Sequence, residues 1–202
     1  MFEYPSVIWL CVLYFFWSAG VYGFVLWLPV MVQNGAARGI GVTGLLSAAP
    51  YLGAILLMLL VSHYSDRSFQ RRRFIAPFLI LSGIAMLGSF LTASVSFWLA
   101  YLFLIISCGA MYAPYGPFFA IVPEILPKNV AGEVMALINS FGALGGFMGT
   151  WFVGLLEART GNSKAGFLLM SICLMVSGLI VLGLKTSTGQ VAAVPLQSET
   201  SA

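Results

Sequence analysis

Charge is scarce in this sequence, since Asp, Glu, Lys and Arg together make up 7% of the 202 residues. Ordinary soluble domains carry about 25% charged residues. Apolar residues make up 60% of the chain, which leaves too little polar surface for a protein that folds in water. The net charge of +3 is not gathered on one basic face, and a nucleic-acid partner is therefore not expected.

Side chains that carry metal, redox or nucleophilic chemistry are equally few. The three cysteines, Cys11, Cys108 and Cys173, each lie within an apolar run and show no C-x-x-C spacing. His63 is the only histidine and follows an apolar run, which favours an interfacial position over proton transfer. We predict no cofactor and no metal site, and we do not expect an enzyme.

Long apolar runs dominate what the sequence does contain. A bilayer-spanning helix needs about 20 apolar residues, and six runs meet this length, at about 6–31, 42–62, 74–92, 97–120, 131–156 and 164–184. The sequence predicts an all-α membrane protein with six transmembrane helices in residues 1–185. The polar remainder, residues 186–202, is predicted to be a disordered tail.

The basic residues indicate how these spans are oriented in the bilayer. With both termini in the cytoplasm, six of the nine Lys and Arg residues lie inside, and the positive-inside rule favours this arrangement. The six inside are Arg67, Arg71, Arg72, Arg73, Lys128 and Lys185, and the three outside are Arg38, Arg159 and Lys164. We expect a multi-pass protein with cytoplasmic termini.

A weak internal repeat relates the two halves of the chain. Residues Gly44 to Ala54 resemble Ala136 to Gly146 in their small residues, leucines and helix-loosening Pro or Gly. Each half contains three spans, an odd number, so the second must run with opposite topology. Such 3+3 inverted repeats are typical of secondary transporters, although chance similarity between apolar helices is an alternative.

The spans also contain polar groups that could contact a substrate. Asn139 lies in the fifth span, and its amide must bond either a neighbouring helix or a substrate. Tyrosines in the first and fourth spans combine a hydroxyl with an apolar ring, which suits a polyol site or an aromatic belt. They are Tyr14, Tyr22, Tyr112 and Tyr115.

Glycine and proline mark two of the spans. The fifth contains Gly142, Gly145, Gly146 and Gly149, a spacing that lets helices approach closely. The fourth contains Pro114, Pro117 and Pro123, each of which removes an intrahelical hydrogen bond. We predict close packing of the fifth span and a broken, gating fourth span.

Four stretches together resemble the major facilitator superfamily, specifically its anion:cation symporter family of bacterial sugar-acid transporters. They are YGFVLWLP (22–29), GLLSAAPYL (44–52), PYGPFFAIVPEILPKNVAGE (114–133) and ALINSFGALGGFMG (136–149). The last two are most similar to L-rhamnonate transporters. The resemblance implies the carboxy-terminal half of a twelve-helix transporter in the bacterial inner membrane, with proton symport of a small organic anion and a missing amino-terminal half.

The resemblance also implies roles for individual residues. The loop that follows the second span matches the superfamily's gating motif at Asp66, Arg67, Arg71 and Arg72, while Ser62 and Phe69 replace its two glycines. A plain positive-inside loop is the alternative. Substrate contacts are expected from Asn139, Tyr14 and Tyr22, with Tyr112 and Phe119 behind them.

Two rival interpretations follow from the same residues. The chain by itself could be a truncated, non-transporting assembly module that needs a partner half. A channel or a membrane enzyme is disfavoured, because the spans contain no ring-forming charge and no nucleophile. The resemblance implies that the basic residues for the substrate carboxylate and the acids that relay the proton belong largely to the missing half. The spans of this chain contain no midmembrane Arg, Lys, Asp or Glu in their place.

Overall fold

The computed structural model describes residues 5–36, 39–68, 70–126, 128–161 and 164–183, and every regular element within these ranges is an α-helix. The tail predicted at 186–202 lies outside the described residues. The helices are α1 (Pro5–Ala36), α2 (Ile40–Ser68), α3 (Arg71–Thr92), α4 (Phe97–Tyr112), α5 (Tyr115–Ile125), α6 (Lys128–Thr160) and α7 (Lys164–Gly183).

Six segments in this part of the chain are long and apolar enough to cross a bilayer. They are Val7–Gln33, Ile40–Ser68, Arg71–Thr92, Phe97–Ile125, Val130–Thr160 and Ala165–Gly183. Helices satisfy their own backbone hydrogen bonds, which the hydrocarbon core of a bilayer requires. The prediction of an all-α membrane protein with six transmembrane helices is confirmed.

The fourth span consists of two helices, because α4 ends at Tyr112 and α5 begins at Tyr115. Proline has no backbone N–H, so Pro114 and Pro117 cannot bond the carbonyls four residues earlier, those of Ala110 and Ala113. Pro114 adopts φ −77° and ψ −4°, a turn-like conformation rather than a continued helix. The break lies toward the carboxyl end of the longest uncharged stretch of the sequence, residues 74–123.

The packing of the helices repeats between the two halves of the chain. Helix α1 packs mainly along α6 and α7, while the broken span α4–α5 packs mainly along α2 and α3. Helix α3 also packs extensively on α7. Exchanging the first three spans for the last three leaves this pattern unchanged, as a 3+3 inverted repeat requires.

Helices α1 and α6 cross with their backbones in direct contact. An ideal Cβ at Gly145 would overlap the carbonyl oxygen of Phe15 and would lie 2.9 Å from its Cα. A Cβ at Gly149 would lie 2.5 Å from the carbonyl oxygen of Ala19. No side chain fits at either position, so these two glycines fix the spacing of the α1–α6 pair.

Polar groups join α3 to α4 inside the bundle. The hydroxyl of Ser82 donates to the carbonyl oxygen of Ser107 at 2.9 Å, and the Ser107 hydroxyl donates to the Ser82 carbonyl at 3.0 Å. Both serines are fully buried. Reciprocal bonds of this kind hold membrane helices together where no bulk hydrophobic force acts between them.

Two spans are much less covered than the others. Only 17% of the α2 span and 28% of the α6 span is buried inside the bundle, against 67% for the first span. Their exposed side chains are largely apolar, including Leu52, Leu56, Leu144 and Phe147. These two faces therefore meet either lipid or further protein in the membrane.

Candidate functional site

A cluster of charged residues lies where α2 and α5 end and α3 begins, which we call the arginine end. The Arg71 guanidinium is mostly buried and forms an ion pair with Asp66 at the end of α2. It also pairs with Glu124 on α5, at 2.7 Å between Nη2 and Oε1. Its Nη1 donates to the buried Ser65 hydroxyl at 3.2 Å, so one arginine joins three helices.

The other two arginines of the predicted gate have different surroundings. Arg72 donates from Nε to the carbonyl oxygen of Val181 at 3.1 Å and from Nη2 to that of Leu182. A cation at these terminal carbonyls is favoured by the dipole of α7. Arg67 is exposed at the end of α2, and no ion pair among the described residues includes it.

Helices α2 and α5 approach closely just inside the arginine end. An ideal Cβ at Gly116 would overlap the Ser62 hydroxyl and would lie 3.0 Å from the Ser62 Cβ. Ser62 occupies a glycine position of the gating motif that the sequence resembles. In this chain the space for the approach is supplied by the glycine on α5 instead, and the crossing lies one helical turn before Asp66.

Replacing Gly116 with alanine is expected to destabilise this crossing by about 1–3 kcal/mol, the usual cost of overpacking. Because the obstructing group is the Ser62 side chain, the Ser62→Gly change should restore most of the loss. The measurement is the thermal unfolding of the four members of this double-mutant cycle in detergent. An equal loss in both backgrounds would show that Ser62 is not the contact.

Aromatic side chains surround the break between α4 and α5. The aromatic cluster comprises Tyr14, Trp17, Tyr112, Tyr115, Phe118 and Phe119. The Trp17 ring lies 4.5 Å from that of Tyr115, and its indole N–H donates to the Met111 carbonyl oxygen at 3.0 Å. The first span is thereby bonded to the backbone just before the break.

The cluster brings together three of the predicted substrate contacts. The Tyr14 ring lies 5.4 Å from Phe119 and 6.3 Å from Tyr115, which in turn stacks on Tyr112 at 5.6 Å. Tyr51 of α2 extends this row, with its ring 5.9 Å from that of Tyr112. Tyr14 is buried, whereas Tyr112 and Phe119 are partly exposed, so the row reaches the surface of the bundle.

Of the remaining two predicted contacts, Asn139 belongs to α6, and Tyr22 of α1 lies against α6. Asn139 is exposed on this helix, and Gly142 and Gly146 follow at spacings of three and four residues, which places all three on one helix face. The Tyr14 ring lies against Gly142, and the Tyr22 ring lies against Gly146. Tyr22 itself is half-exposed and outside the aromatic cluster.

This arrangement suits recognition of an uncharged, hydroxylated ligand surface. Aromatic rings supply apolar faces, and tyrosine hydroxyls and an amide supply a small number of polar contacts, a combination typical of small-molecule sites. The ion pairs of Arg71 with Asp66 and Glu124 lie at the arginine end. Within the described residues, no three His, Cys, Asp or Glu side chains are close enough to hold a metal ion.

Four residues of the arginine end and the tyrosine-rich region were not predicted from the sequence: Glu124, Trp17, Tyr51 and Phe118. Glu124 lies 53 positions from Arg71, and no local pattern connects them. The available signal was a carboxylate directly after Pro123, at the end of a span on the side predicted to carry most of the arginines. Trp17 and Tyr51 stand in runs of apolar residues where only the fold reveals their partners.

Comparison with known proteins agrees with this architecture. The family model described as Major Facilitator Superfamily matches residues 1–150. A "Quinolone resistance transporter" of Acinetobacter baumannii is 33% identical over 81% of this chain and 37% of its own length. A "Putative tartrate transporter" of Agrobacterium vitis is 28% identical over 90% and 40%. The "Inner membrane transport protein RhmT" of Escherichia coli strain K12 is 25% identical over 88% and 41%. The chain thus spans about two fifths of the length of the curated relatives it matches. Because the family model matches residues 1–150, the chain belongs to the Major Facilitator Superfamily.

Proposed function

We propose that this chain is the carboxy-terminal half of a secondary transporter for sugar acids or related small organic anions. The observation that carries the proposal is the tyrosine row of Tyr14, Tyr115, Tyr112 and Tyr51, which crosses the broken span. Tyr14 of this row lies against Gly142 of α6, about one turn from Asn139. Relatives named for tartrate and RhmT favour this substrate class and the anion:cation symporter family. We expect L-rhamnonate or a similar anion as cargo.

The substrate carboxylate and the coupling proton are assigned to an amino-terminal half. This chain spans about 40% of the tartrate relative, and its α2 and α6 faces are the least covered. We call the twelve-helix protein that the two halves would form the parent transporter. The parent transporter lies in a bacterial inner membrane, where the arginine end and both termini face the cytoplasm. Its two halves rock about a central site.

In this proposal the arginine end acts as a gate. Arg71 joins the ends of α2 and α5 through Asp66 and Glu124, and α5 is the half of the broken span nearest to it. Movement of α5 at the proline break must either carry this ion-pair cluster along or break it. Arg72 ties α3 to the end of α7 independently, while Arg67 contributes positive charge at the surface.

Replacing Asn139 with alanine in the parent transporter is expected to raise the half-saturation constant for sugar-acid uptake about tenfold. This corresponds to a loss of about 1.4 kcal/mol in binding free energy. Such a loss is typical of one hydrogen bond to a charged or polar ligand. Ser140→Ala is the matched control, because the Ser140 hydroxyl bonds the Ala136 carbonyl of its own helix at 2.9 Å. Unchanged uptake of every sugar acid tested would remove Asn139 from the site.

A truncated module without transport activity is the second candidate function. It is favoured by the short span of the chain relative to its relatives. Proteoliposomes that contain only the 202-residue chain distinguish the two, together with a sample in which an amino-terminal half is supplied. Uptake that appears only with the added half supports the transporter half, and no uptake in either sample supports the module.

A further inference from the structure

Four glycines of α6 are in close contact with α1, and they have two different kinds of neighbour. Gly145 and Gly149 lie against the backbone of α1. Gly142 and Gly146 lie against aromatic rings instead: a Cβ at Gly142 would lie 2.5 Å from Cδ1 of Tyr14, and a Cβ at Gly146 would lie 2.7 Å from Cδ2 of Tyr22. The first pair sets helix spacing, and the second pair determines where two tyrosine rings lie.

We propose that Gly142 and Gly146 are positioning residues that set the orientation of Tyr14 and Tyr22 toward the transported anion. The inference rests on the proposed function, because it takes these tyrosines as substrate contacts. It adds that their geometry is imposed by α6, the helix that also carries Asn139. The spacing of 139, 142 and 146 keeps the amide and both rings on one face, over about 10 Å of helix at 1.5 Å per residue.

The contact at Gly146 restricts Tyr22 near the root of its ring. A Cβ added at position 146 would lie 2.9 Å from Cγ as well as 3.2 Å from Cε2. Because Cγ is bonded directly to the tyrosine Cβ, ring rotation alone cannot relieve an overlap there. A methyl group at position 146 therefore forces Tyr22 toward another χ1 rotamer and moves its hydroxyl away from the present position.

Gly142 constrains a ring that has no room to move. Tyr14 is 9% exposed and packs against Trp17 at 5.6 Å and Phe118 at 5.2 Å between ring centroids. A side chain at position 142 would therefore disturb the aromatic cluster and lower stability along with binding. Tyr22 is 49% exposed and has space to rotate, so Gly146 gives the cleaner test.

The test is a double-mutant cycle on Gly146 and Tyr22 in the parent transporter. Gly146→Ala is expected to raise the half-saturation constant for sugar-acid uptake about tenfold, with the maximal rate and the amount of folded protein unchanged. In the Tyr22→Ala background the same change should have no further effect, because no ring remains to displace. Gly132→Ala is the matched control, since nothing lies within 4 Å of a Cβ at that position of α6.

A second measurement keeps the inference independent of the substrate assignment. Nitration by tetranitromethane occurs beside the phenol oxygen, at the Cε positions, and Gly146 covers Cε2 of Tyr22. Nitration of Tyr22 in membranes should therefore rise in Gly146→Ala and stay unchanged in Gly132→Ala. Unchanged nitration in Gly146→Ala, or an equal rise in half-saturation constant in both backgrounds, would overturn the positioning role. If the wild type takes up no organic anion, the proposed function fails. The nitration result alone then decides whether Gly146 positions Tyr22.

Discussion

Replacing Gly145 with alanine is expected to prevent stable packing of α1 on α6 and to remove most folded protein. The added methyl group would overlap the carbonyl oxygen of Phe15, and its nearest neighbours are all backbone atoms of that residue. Backbone cannot rotate away as a side chain can, so the two helices must separate along their length. We expect a loss beyond the usual overpacking cost of about 1–3 kcal/mol.

The measurement is the yield of monodisperse protein in detergent and its thermal unfolding temperature. Gly132→Ala on the same helix makes the same chemical change in open space and should behave as wild type. Gly149→Ala should resemble Gly145→Ala, since its methyl group would lie 2.5 Å from the Ala19 carbonyl oxygen. Wild-type stability of Gly145→Ala would mean that α1 and α6 do not cross in this way.

Removal of Arg71 is the second change with a large expected effect. Its side chain is 10% exposed, whereas those of Glu124 and Asp66 are 41% and 65% exposed. Solvent screens the exposed partners, so we expect about 1–2 kcal/mol of lost stability rather than the 3–5 kcal/mol typical of breaking a fully buried pair. Arg71→Ala should nearly abolish uptake by the parent transporter, because α2 and α5 lose their shared ion-pair partner.

The partners of Arg71 should follow a defined order. Glu124→Gln should reduce uptake more than Asp66→Asn, because Glu124 is less exposed and accepts from both Nε and Nη2 of Arg71. Uptake by Arg71→Lys should be little higher than uptake by Arg71→Ala, since a single ammonium cannot reproduce the planar guanidinium that reaches both carboxylates. Arg73→Ala is the control within the same region and should leave uptake near wild type, because Arg73 is exposed in the first turn of α3 and belongs to neither ion pair. Equal effects of Arg73→Ala and Arg71→Ala would show that the cluster acts only as a patch of positive charge.

The sequence predicted the helices better than it predicted their partners. Hydropathy locates each span because every apolar residue contributes to the same local signal, and Pro114 and Pro117 indicate the break through their missing amide donors. The pairing of Arg71 with Glu124 instead depends on how α5 is placed beside α3, which no local signal encodes. For the same reason, the hydrogen bond from Trp17 to the Met111 carbonyl could not be predicted from the sequence.

In the candidate site too, the sequence predicted individual residues better than it predicted their neighbours. Tyr14, Tyr112 and Phe119 were predicted as substrate contacts, and the fold brings them into one cluster. Outside that cluster, Asn139 lies on α6 and Tyr22 lies against Gly146 of the same helix, while Tyr14 of the cluster lies against Gly142. The sequence shows four glycines at helix-packing spacing, but only the structure separates those that meet backbone from those that meet a tyrosine.

The most direct test of the proposed site is protection of a cysteine placed beside it. Ala136 lies about one turn before Asn139 and is exposed. The native cysteines of this chain, Cys11, Cys108 and Cys173, are 3%, 0% and 8% exposed, so Ala136→Cys should dominate alkylation of this chain. In membranes that contain the parent transporter, tartrate or L-rhamnonate is predicted to slow alkylation at position 136, and the neutral sugar L-rhamnose is not. Alkylation that is unaffected by every organic anion the same membranes take up would contradict the assignment of the substrate site to this face.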